Sequence, residues 1–409
     1  MAEKRYKWAD GAELEGHSHR KHKILREYVF DYLTVRCKLP QQERFRLAII
    51  DGFSGGGRYK CGAVGSPLIF MEELKRAVQG LGTIEVECLL IFNDENRDAI
   101  ELLKTNVAPL EAEIAQTCPK LHVRVEYLNQ LFEAAYPKIK DFLNQGRYRN
   151  VLFNLDQYGD RHVERKTILD IMHSYLSAEI FYTFMISSLL AFLQKDQPEQ
   201  LQARLNHLNV TSTDIEALDG VMMSNNDWLG AAEKLVFDAF RLCAPYVSPF
   251  SINNPGGWRY WLIHFANAYR ARQVYNNILH DNASLQAHFG RSGLNMLSYD
   301  PRHDGMLYLF DDEGRASAKD QLLDDIPHLV TESGDAISVR EFYENIYNIT
   351  PAHANDINAA IIENPDLEVI TPAGGERRKP NTIGAGDFIK MKEQRSFFPM
   401  FLNAGTKGT

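Results

Sequence analysis

Short apolar runs rich in β-branched residues alternate with stretches of helical spacing over the first half of the chain. The runs occupy residues 47–50, 88–92, 122–127, 151–155 and 180–186. Between them, residues 67–78 and 97–103 have the apolar spacing of amphipathic helices. Ser66 followed by Pro67 is typical of an N-cap and a first helical position. This alternation predicts an α/β domain with a parallel sheet that is covered on both faces.

The pattern changes after residue 195, where the chain becomes polar and helix-prone as far as Pro249. We interpret residues 195–255 as a helical insertion that caps the sheet or the substrate site. Strand-like and helical spacing then resumes, and the acidic stretch at residues 311–314 indicates a linker. The chain therefore divides into a first domain of residues 1–310 and a second domain of residues 315–409.

Helical spacing returns in the second domain and is followed by two short apolar runs. The helical patterns lie at residues 320–330, 339–347 and 352–363, and the apolar runs at 367–370 and 388–391. Three helices followed by a β-hairpin with a basic tip predict a winged helix-turn-helix. There, Arg377, Arg378 and Lys379 would contact nucleic acid. An α+β packing or dimerisation module is the alternative.

Composition excludes several classes of protein. The chain has 409 residues, of which 44% are apolar and 24% charged, as in ordinary folded proteins. The five cysteines are widely spaced and form no CxxC pair, which favours reduced thiols inside the cell. No apolar run is long enough to span a membrane, and the polar, basic start of the chain is unlike a signal peptide. We expect a cytoplasmic protein with no membrane partner.

The strongest local signal is a glycine turn after the first predicted strand. Residues 49–57 read I-I-D-G-F-S-G-G-G. Such a turn lets a ligand approach the backbone at the carboxyl end of the strand. The spacing differs from the dinucleotide pattern G-x-G-x-x-G, so it favours S-adenosylmethionine over the cofactor of a dehydrogenase. We predict that Asp51, Phe53, Gly55 and Gly57 shape the cofactor site.

Polar residues after the second and third strands extend this predicted site. Asp94 or Glu95 could hold the ribose hydroxyls, as the acid after the second strand does in dinucleotide folds. The alternative is that Asn93 or Asp94 caps the next helix. Asn129 is placed to bond the adenine amino group.

Lysines and histidines alternate before the first strand. Lys21 could reach the carboxylate of the cofactor's methionine end, and a solvated basic face is the alternative. Residues 17–22 also hold three histidines, but they alternate with cations and have no acidic or cysteine partner. That arrangement argues against a metal site.

The fourth strand ends in residues 154–159, N-L-D-Q-Y-G. An acid followed by an aromatic residue at this place resembles the D-P-P-Y motif of amino-methyltransferases. Asp156 would orient or polarise the target amine, and Tyr158 would provide a ring on which a base stacks. Gln157 occupies the position where proline is usual.

Several separated blocks between residues 17 and 290 resemble the three-Cys-motif partner protein (TcmP) family. The family's motifs K-H-x-x-L, I-D-x-F-x-G-x-G-R-Y and G-S-P-L are found at residues 21–25, 50–59 and 65–68. Its I-D-P-F/Y-G motif has its place at residues 154–159, where Gln157 replaces proline, and its Y-x-L-x-x-A strand is resembled by residues 261–266. The resemblance implies a Rossmann-like S-adenosylmethionine-dependent methyltransferase fold. It also implies a partner protein that carries a three-cysteine motif, which this chain lacks.

The charge pattern bears on the substrate. The net charge is −9, yet residues 1–26 hold 7 cationic against 4 acidic side chains, and residues 376–395 hold 6 against 3. Two basic ends on an acidic body are compatible with nucleic acid. We therefore expect an S-adenosylmethionine-dependent methyltransferase that modifies an amino group of a nucleic-acid base. The alternative is a catalytically silent, methyltransferase-like module that docks on a partner protein or DNA.

Overall fold

The computed structural model describes most of the chain. The described residues are 8, 12–14, 16–38, 41–157, 162–186, 205–208, 210, 234–253, 259–282, 286–289, 307–308 and 312–393.

A large mixed sheet forms the centre of the first domain. Its described strands lie in the order β3-β2-β1-β4-β5-β7-β6-β8-β9. The first five run parallel, and β7 runs antiparallel to both β5 and β6. All five predicted strands are confirmed. The strands are β1 (Arg44–Asp51), β2 (Glu85–Asn93), β3 (Leu121–Leu128), β4 (Asn150–Leu155), β5 (Ser177–Phe184), β6 (Tyr246–Asn253), β7 (Arg259–Ala266), β8 (Gln286–Phe289) and β9 (Leu307–Tyr308).

Helices cover both faces of this sheet. Alternate residues of β1 point to opposite faces, so that Ile49 joins one apolar core and Ile50 the other. Burial on both sides explains why the strands are continuously apolar. One face carries α1 (Gly16–Arg36), α2 (Ser66–Gln79), α3 (Arg97–Thr117) and α6 (Tyr269–Asp281), and the other carries α4 (Phe132–Gln145), α5 (Arg165–Ser174) and the helical residues 234–241.

Helix α1 is tied to the sheet by buried polar groups. Glu179, near the start of β5, accepts hydrogen bonds from the Tyr28 hydroxyl and from Arg36 Nη2, the latter at 2.8 Å. Glu179 is 1% exposed. A carboxylate buried this deeply is tolerated because it is paired and hydrogen-bonded.

Three sequence expectations for helix and strand boundaries were wrong. Helix α2 has Gly65 as its N-cap, and Ser66 is its first residue. Residues 246–253 of the expected helical insertion form strand β6, along which apolar side chains alternate. Strand β8 pairs with only two residues of β6, so most of that side of β6 is an edge, where Pro249 is tolerated. In the expected linker at residues 311–314, the described residues 312–314 form the start of a helix, where the acidic side chains Asp312 and Glu313 interact favourably with the helix dipole.

The second domain has the predicted winged-helix order. Its sheet has the antiparallel order β10-β13-β11-β12, and its helices pack on one shared apolar core. The elements are α7 (Asp312–Glu332), β10 (Ala336–Ser338), α8 (Val339–Ile346), α9 (Ala354–Glu363), β11 (Leu367–Ile370), β12 (Glu376–Arg377) and β13 (Phe388–Met391).

The two domains are joined along α6. Arg272, Asn276 and His280 of α6 contact the backbone carbonyls of Thr350 and Pro351, in the turn between α8 and α9. Apolar residues of β6, β7 and α6 also belong to the winged-helix core. The winged helix is therefore packed against the α/β domain.

Candidate functional site

The glycine turn lies at the carboxyl end of β1. Asp51 ends the strand and is fully buried, and Asn154 Nδ2 donates to its Oδ1 at 3.1 Å. Gly55 and Gly57 have φ values of +58° and +76°, which side chains rarely adopt. The turn therefore needs glycine at these two positions for conformational reasons alone.

The indole of Trp8 covers one side of this turn. A Cβ atom built on Gly55 would lie 2.3 Å from the ring, and one on Gly56 would lie 2.7 Å from it. The ring therefore packs directly on the backbone of the turn. Trp8 was not among the residues expected at the site, because nothing in the nearby sequence links it to residues 55–56.

The acids after β2 brace the turn. Asp94 accepts hydrogen bonds from the Gly55 amide at 2.9 Å and from the Asn96 amide at 2.8 Å. Asn129 Nδ2 donates to the backbone carbonyls of Asp94 and Glu95, and the Glu95 side chain is exposed. The alternative that Asn93 or Asp94 caps α3 was wrong, because the side chain of Asn96 accepts from the first amides of the helix.

A cleft opens at the carboxyl ends of β1, β4 and β5. It brings together Lys21 of α1 and Asp156 at the end of β4, which form an ion pair. In open α/β sheets, ligands bind where neighbouring strands lead to opposite sides of the sheet, and β1 and β4 form such a point here. The cleft is lined by Lys21, His22, Leu25, Ser66, Asn154, Asp156, Phe181, Thr183 and Leu262.

Burial sets the protonation states in the cleft. Burial lowers the pKa of His22 to about 4, so its imidazole is neutral at pH 7. Burial raises the pKa of Asp51 to about 7, although the nearby Ser66 hydroxyl and the hydrogen bond from Asn154 favour its ionised form. Burial also acts to raise the pKa of Asp156, but the Lys21 ammonium and the Thr183 hydroxyl outweigh it, and the pKa is lowered. Asp156 is therefore ionised.

Gln157 fixes the backbone beyond Asp156. Its Nε2 donates to the Tyr182 hydroxyl at 2.7 Å, and its Oε1 accepts from the amides of His162 and Val163 at 2.9 and 3.1 Å. The side chain is buried. Tyr158, the second predicted catalytic residue, lies outside the described residues.

Several cleft residues were missed by the sequence reasoning. Asn154 and Thr183 are polar positions inside otherwise apolar strands, and that interruption is the signal that could have found them. Ser66 was interpreted as a helix cap, whereas it is the first residue of α2 and lines the cleft. Phe53 packs partly buried against Phe132, with ring centroids 5.8 Å apart.

The three predicted nucleic-acid contacts lie on the wing, and two of them, Arg377 and Arg378, bond acidic side chains there. Arg377 makes a two-pronged contact with the buried Asp387 at 3.0 and 3.3 Å. Arg378 lies 3.2 Å from Glu376, and Lys379 is exposed. Of the three, Arg378 and Lys379 present cations at the surface, while Arg377 is half-buried.

Helix α9 occupies the place of a recognition helix. Asn277 of α6 accepts from its first amide, that of Ala354, at 3.0 Å. Recognition helices contact base edges with their N-terminal residues. In this structure that end of α9 packs against the α/β domain.

The comparisons with known proteins concern the second domain. Residues 298–374 match the family described as GMT-like wHTH domain. The match covers α7 to β11, and the structure extends the same unit through β13. None of the curated proteins matches the chain. Among the described residues, no helix is long and apolar enough to cross a membrane.

Proposed function

We propose that this protein is an S-adenosylmethionine-dependent methyltransferase that acts on an amino group of a nucleic-acid base. The observation that carries the proposal is the shared position of the glycine turn and the Lys21–Asp156 cleft, at the carboxyl edge between β1 and β4. The strand order places this edge where the connections of β1 and β4 lead to opposite sides of the sheet, which is where open α/β sheets bind their ligands.

The residues at this edge fit the charged groups of the cofactor. Lys21 has one described acceptor, Asp156, so two of its three N–H donors remain for a ligand carboxylate. Asp51 is a buried carboxyl group that a ligand ammonium would ionise. Asp94 or Glu95 would hold the ribose, and Asn129 would accept from adenine through its Oδ1. The bound cofactor would supply an electrophilic methyl group.

Asp156 is the residue that would act on the acceptor. As an ionised carboxylate it can accept a hydrogen bond from an amine and orient the nitrogen towards the methyl group. Tyr158 would stack on the base. Gln157 would hold the intervening backbone through its bonds to His162 and Val163.

The nucleic-acid and partner assignments rest on other features. A winged helix is a common nucleic-acid reader, and the match to a GMT-like wHTH domain supports its presence. Arg378 and Lys379 are the exposed cations of the wing. The resemblance to the TcmP family supports a three-Cys-motif protein as the partner.

Cofactor binding can be measured by titration calorimetry with S-adenosylhomocysteine. We expect binding to the wild type and a loss of at least about tenfold in Asp51→Ala, equivalent to about 1.4 kcal/mol. Asp98→Ala, an acid exposed on α3, is the matched control and should bind normally. Absence of binding to the folded wild type would overturn the proposal.

A second candidate function is the silent binding module. It is favoured by Gln157, which replaces the proline of the family motif, and by the contact that covers the N-terminus of α9. Transfer of a labelled methyl group from S-adenosylmethionine to DNA, tRNA or protein separates the two. Transfer that Asp156→Asn abolishes supports the enzyme, whereas cofactor binding without transfer supports the module.

A further inference from the structure

Lys21 stands where an acceptor amine would have to bind. The Lys21 ammonium is bonded to Asp156, and the side chains are 9% and 26% exposed respectively. The Thr183 hydroxyl also lines the cleft and helps to lower the pKa of Asp156. The structure thus shows an alkylammonium group held by the carboxylate that the proposed function assigns to the acceptor.

A second cation does not fit beside it. Two like charges a few ångströms apart repel, and the repulsion is stronger in a partly buried cleft than in water. His22 is neutral, so Lys21 is the cation that neutralises Asp156. A protonated amine can therefore pair with Asp156 only after Lys21 has moved, and a neutral amino group must compete with Lys21 for the same carboxylate.

Lys21 has a reason to move when a ligand carboxylate arrives. It shares the cleft with the apolar side chains Leu25, Phe181 and Leu262, and two of its N–H donors have no acceptor among the described residues. An ammonium can exchange one carboxylate for another without losing charge compensation. Asp156, in contrast, would then lose the cation that neutralises it.

We propose that Lys21 is the gate of an amine subsite: it fills the subsite until a ligand carboxylate draws it away from Asp156. The proposal rests on the proposed function in naming that ligand as the cofactor. It goes further in predicting a fixed order, in which the cofactor binds before the acceptor amine.

Propylammonium tests the subsite without any cofactor. Lys21→Ala removes a fragment of the size and charge of propylammonium, so the amine should bind in the vacated place. We expect propylammonium chloride to raise the Tm of Lys21→Ala by about 2 °C at saturation. It should leave the wild type, Lys23→Ala and the double variant Lys21→Ala/Asp156→Asn unchanged relative to sodium chloride. Lys23 is an exposed neighbour on the same helix.

A rise in Tm that 1-propanol reproduces, or that persists in the double variant, would contradict the proposed amine subsite. If Lys21→Ala does not fold, Lys21→Met replaces it. That variant keeps the stem and loses the charge, and its S-adenosylhomocysteine affinity should fall at least about tenfold.

The order of binding is tested on the wild type. Propylammonium should raise the Tm when S-adenosylhomocysteine is saturating and should have no effect without it. Equal responses with and without the cofactor product would overturn the gate. Failure of S-adenosylhomocysteine to bind would overturn the proposed function. The change in the Tm of Lys21→Ala with propylammonium would still test the amine subsite, because that experiment contains no cofactor.

Discussion

The cleft between β1 and β4 and the contact between α6 and the winged helix each bury a cation. Among the residues that the structure describes, an acid pairs with the cation of the cleft and none pairs with the cation of the domain contact. Lys21 is paired with Asp156. Arg272 is fully buried, its Nη2 lies 3.4 Å from the Thr350 carbonyl, and its Nε and Nη1 have no hydrogen-bond partner among the described residues. Burial lowers the pKa of its guanidinium to about 9.

Whether the buried cation has an acidic partner determines how each region responds to a ligand or to a substitution. A paired cation beside an opening can exchange its partner for a ligand. A cation sealed at a domain contact without an acid only raises the free energy of the folded state. We therefore expect substitutions in the first region to affect binding, and substitution of Arg272 to affect stability.

The sharpest way to test the value of pairing is to remove an acid from a buried cation. Glu179→Ala leaves Arg36 and the Tyr28 hydroxyl without their acceptor. We expect a loss of about 3–5 kcal/mol in the free energy of unfolding, measured with urea. Glu101→Ala, which breaks an exposed pair with Lys104, should leave the unfolding midpoint unchanged. Equal effects of the two substitutions would contradict the role of burial.

Asp51 tests a buried acid that has only neutral donors. Its pKa is raised from 3.8 to about 7, so the folded state binds more protons than the unfolded state between these values. Stability of the wild type should therefore fall as pH rises through this range, by up to about 1.4 kcal/mol per pH unit relative to Asp51→Asn. Urea unfolding of both proteins from pH 4 to 8 measures the difference. Parallel curves would show that Asp51 titrates normally.

Arg272→Met removes the unpaired cation and keeps most of the side-chain volume. We expect the free energy of unfolding to rise by about 1–3 kcal/mol, because the buried charge costs more than its one long hydrogen bond returns. Arg270→Met, on the exposed side of α6, should stay within about 0.5 kcal/mol of the wild type. A loss of stability in Arg272→Met would show that the guanidinium is paired in solution.

The smallest effects on stability are expected on the wing. Arg378→Ala and Lys379→Ala should each change the free energy of unfolding by less than about 0.5 kcal/mol. If these side chains contact phosphates, each substitution should lower the salt dependence of nucleic-acid binding by about one counterion. Filter binding to tRNA and duplex DNA at several salt concentrations measures this. Unchanged slopes would remove the wing from the interface.

The sequence predicted well what depends on neighbouring residues. The parallel strands were predicted because strands buried on both faces are continuously apolar. The winged helix was predicted because three stretches with helical apolar spacing are followed by two short apolar runs. Strand β6 was missed because Pro249 suggested a break, although an edge strand accepts it. Pairings between distant residues could not be predicted. Lys21 and Asp156 are 135 residues apart, and each was given a separate role.

The same limit applies to the turn at β1. The sequence marked Asp94 as a ribose ligand, and the structure adds that its carboxylate already accepts the amides of Gly55 and Asn96. That second role depends on the register between β1 and β2, which composition does not reveal. The structural role of Gln157 could not be predicted for the same reason, because its hydrogen bond to Tyr182 joins the end of β4 to β5, and these strands are neighbours only in the folded sheet.

The position of Trp8 has an optical consequence. The two tryptophans that the structure describes differ in setting, because Trp261 is fully buried in the core whereas Trp8 is half-buried on the backbone of Gly55 and Gly56. A ligand that approaches the turn from that side must displace the indole or stack on it. Either event changes the polarity around the ring, so the fluorescence of Trp8 should report whether a ligand is bound at the turn. The variant Trp8→Phe is the control for the fluorescence of the other tryptophans.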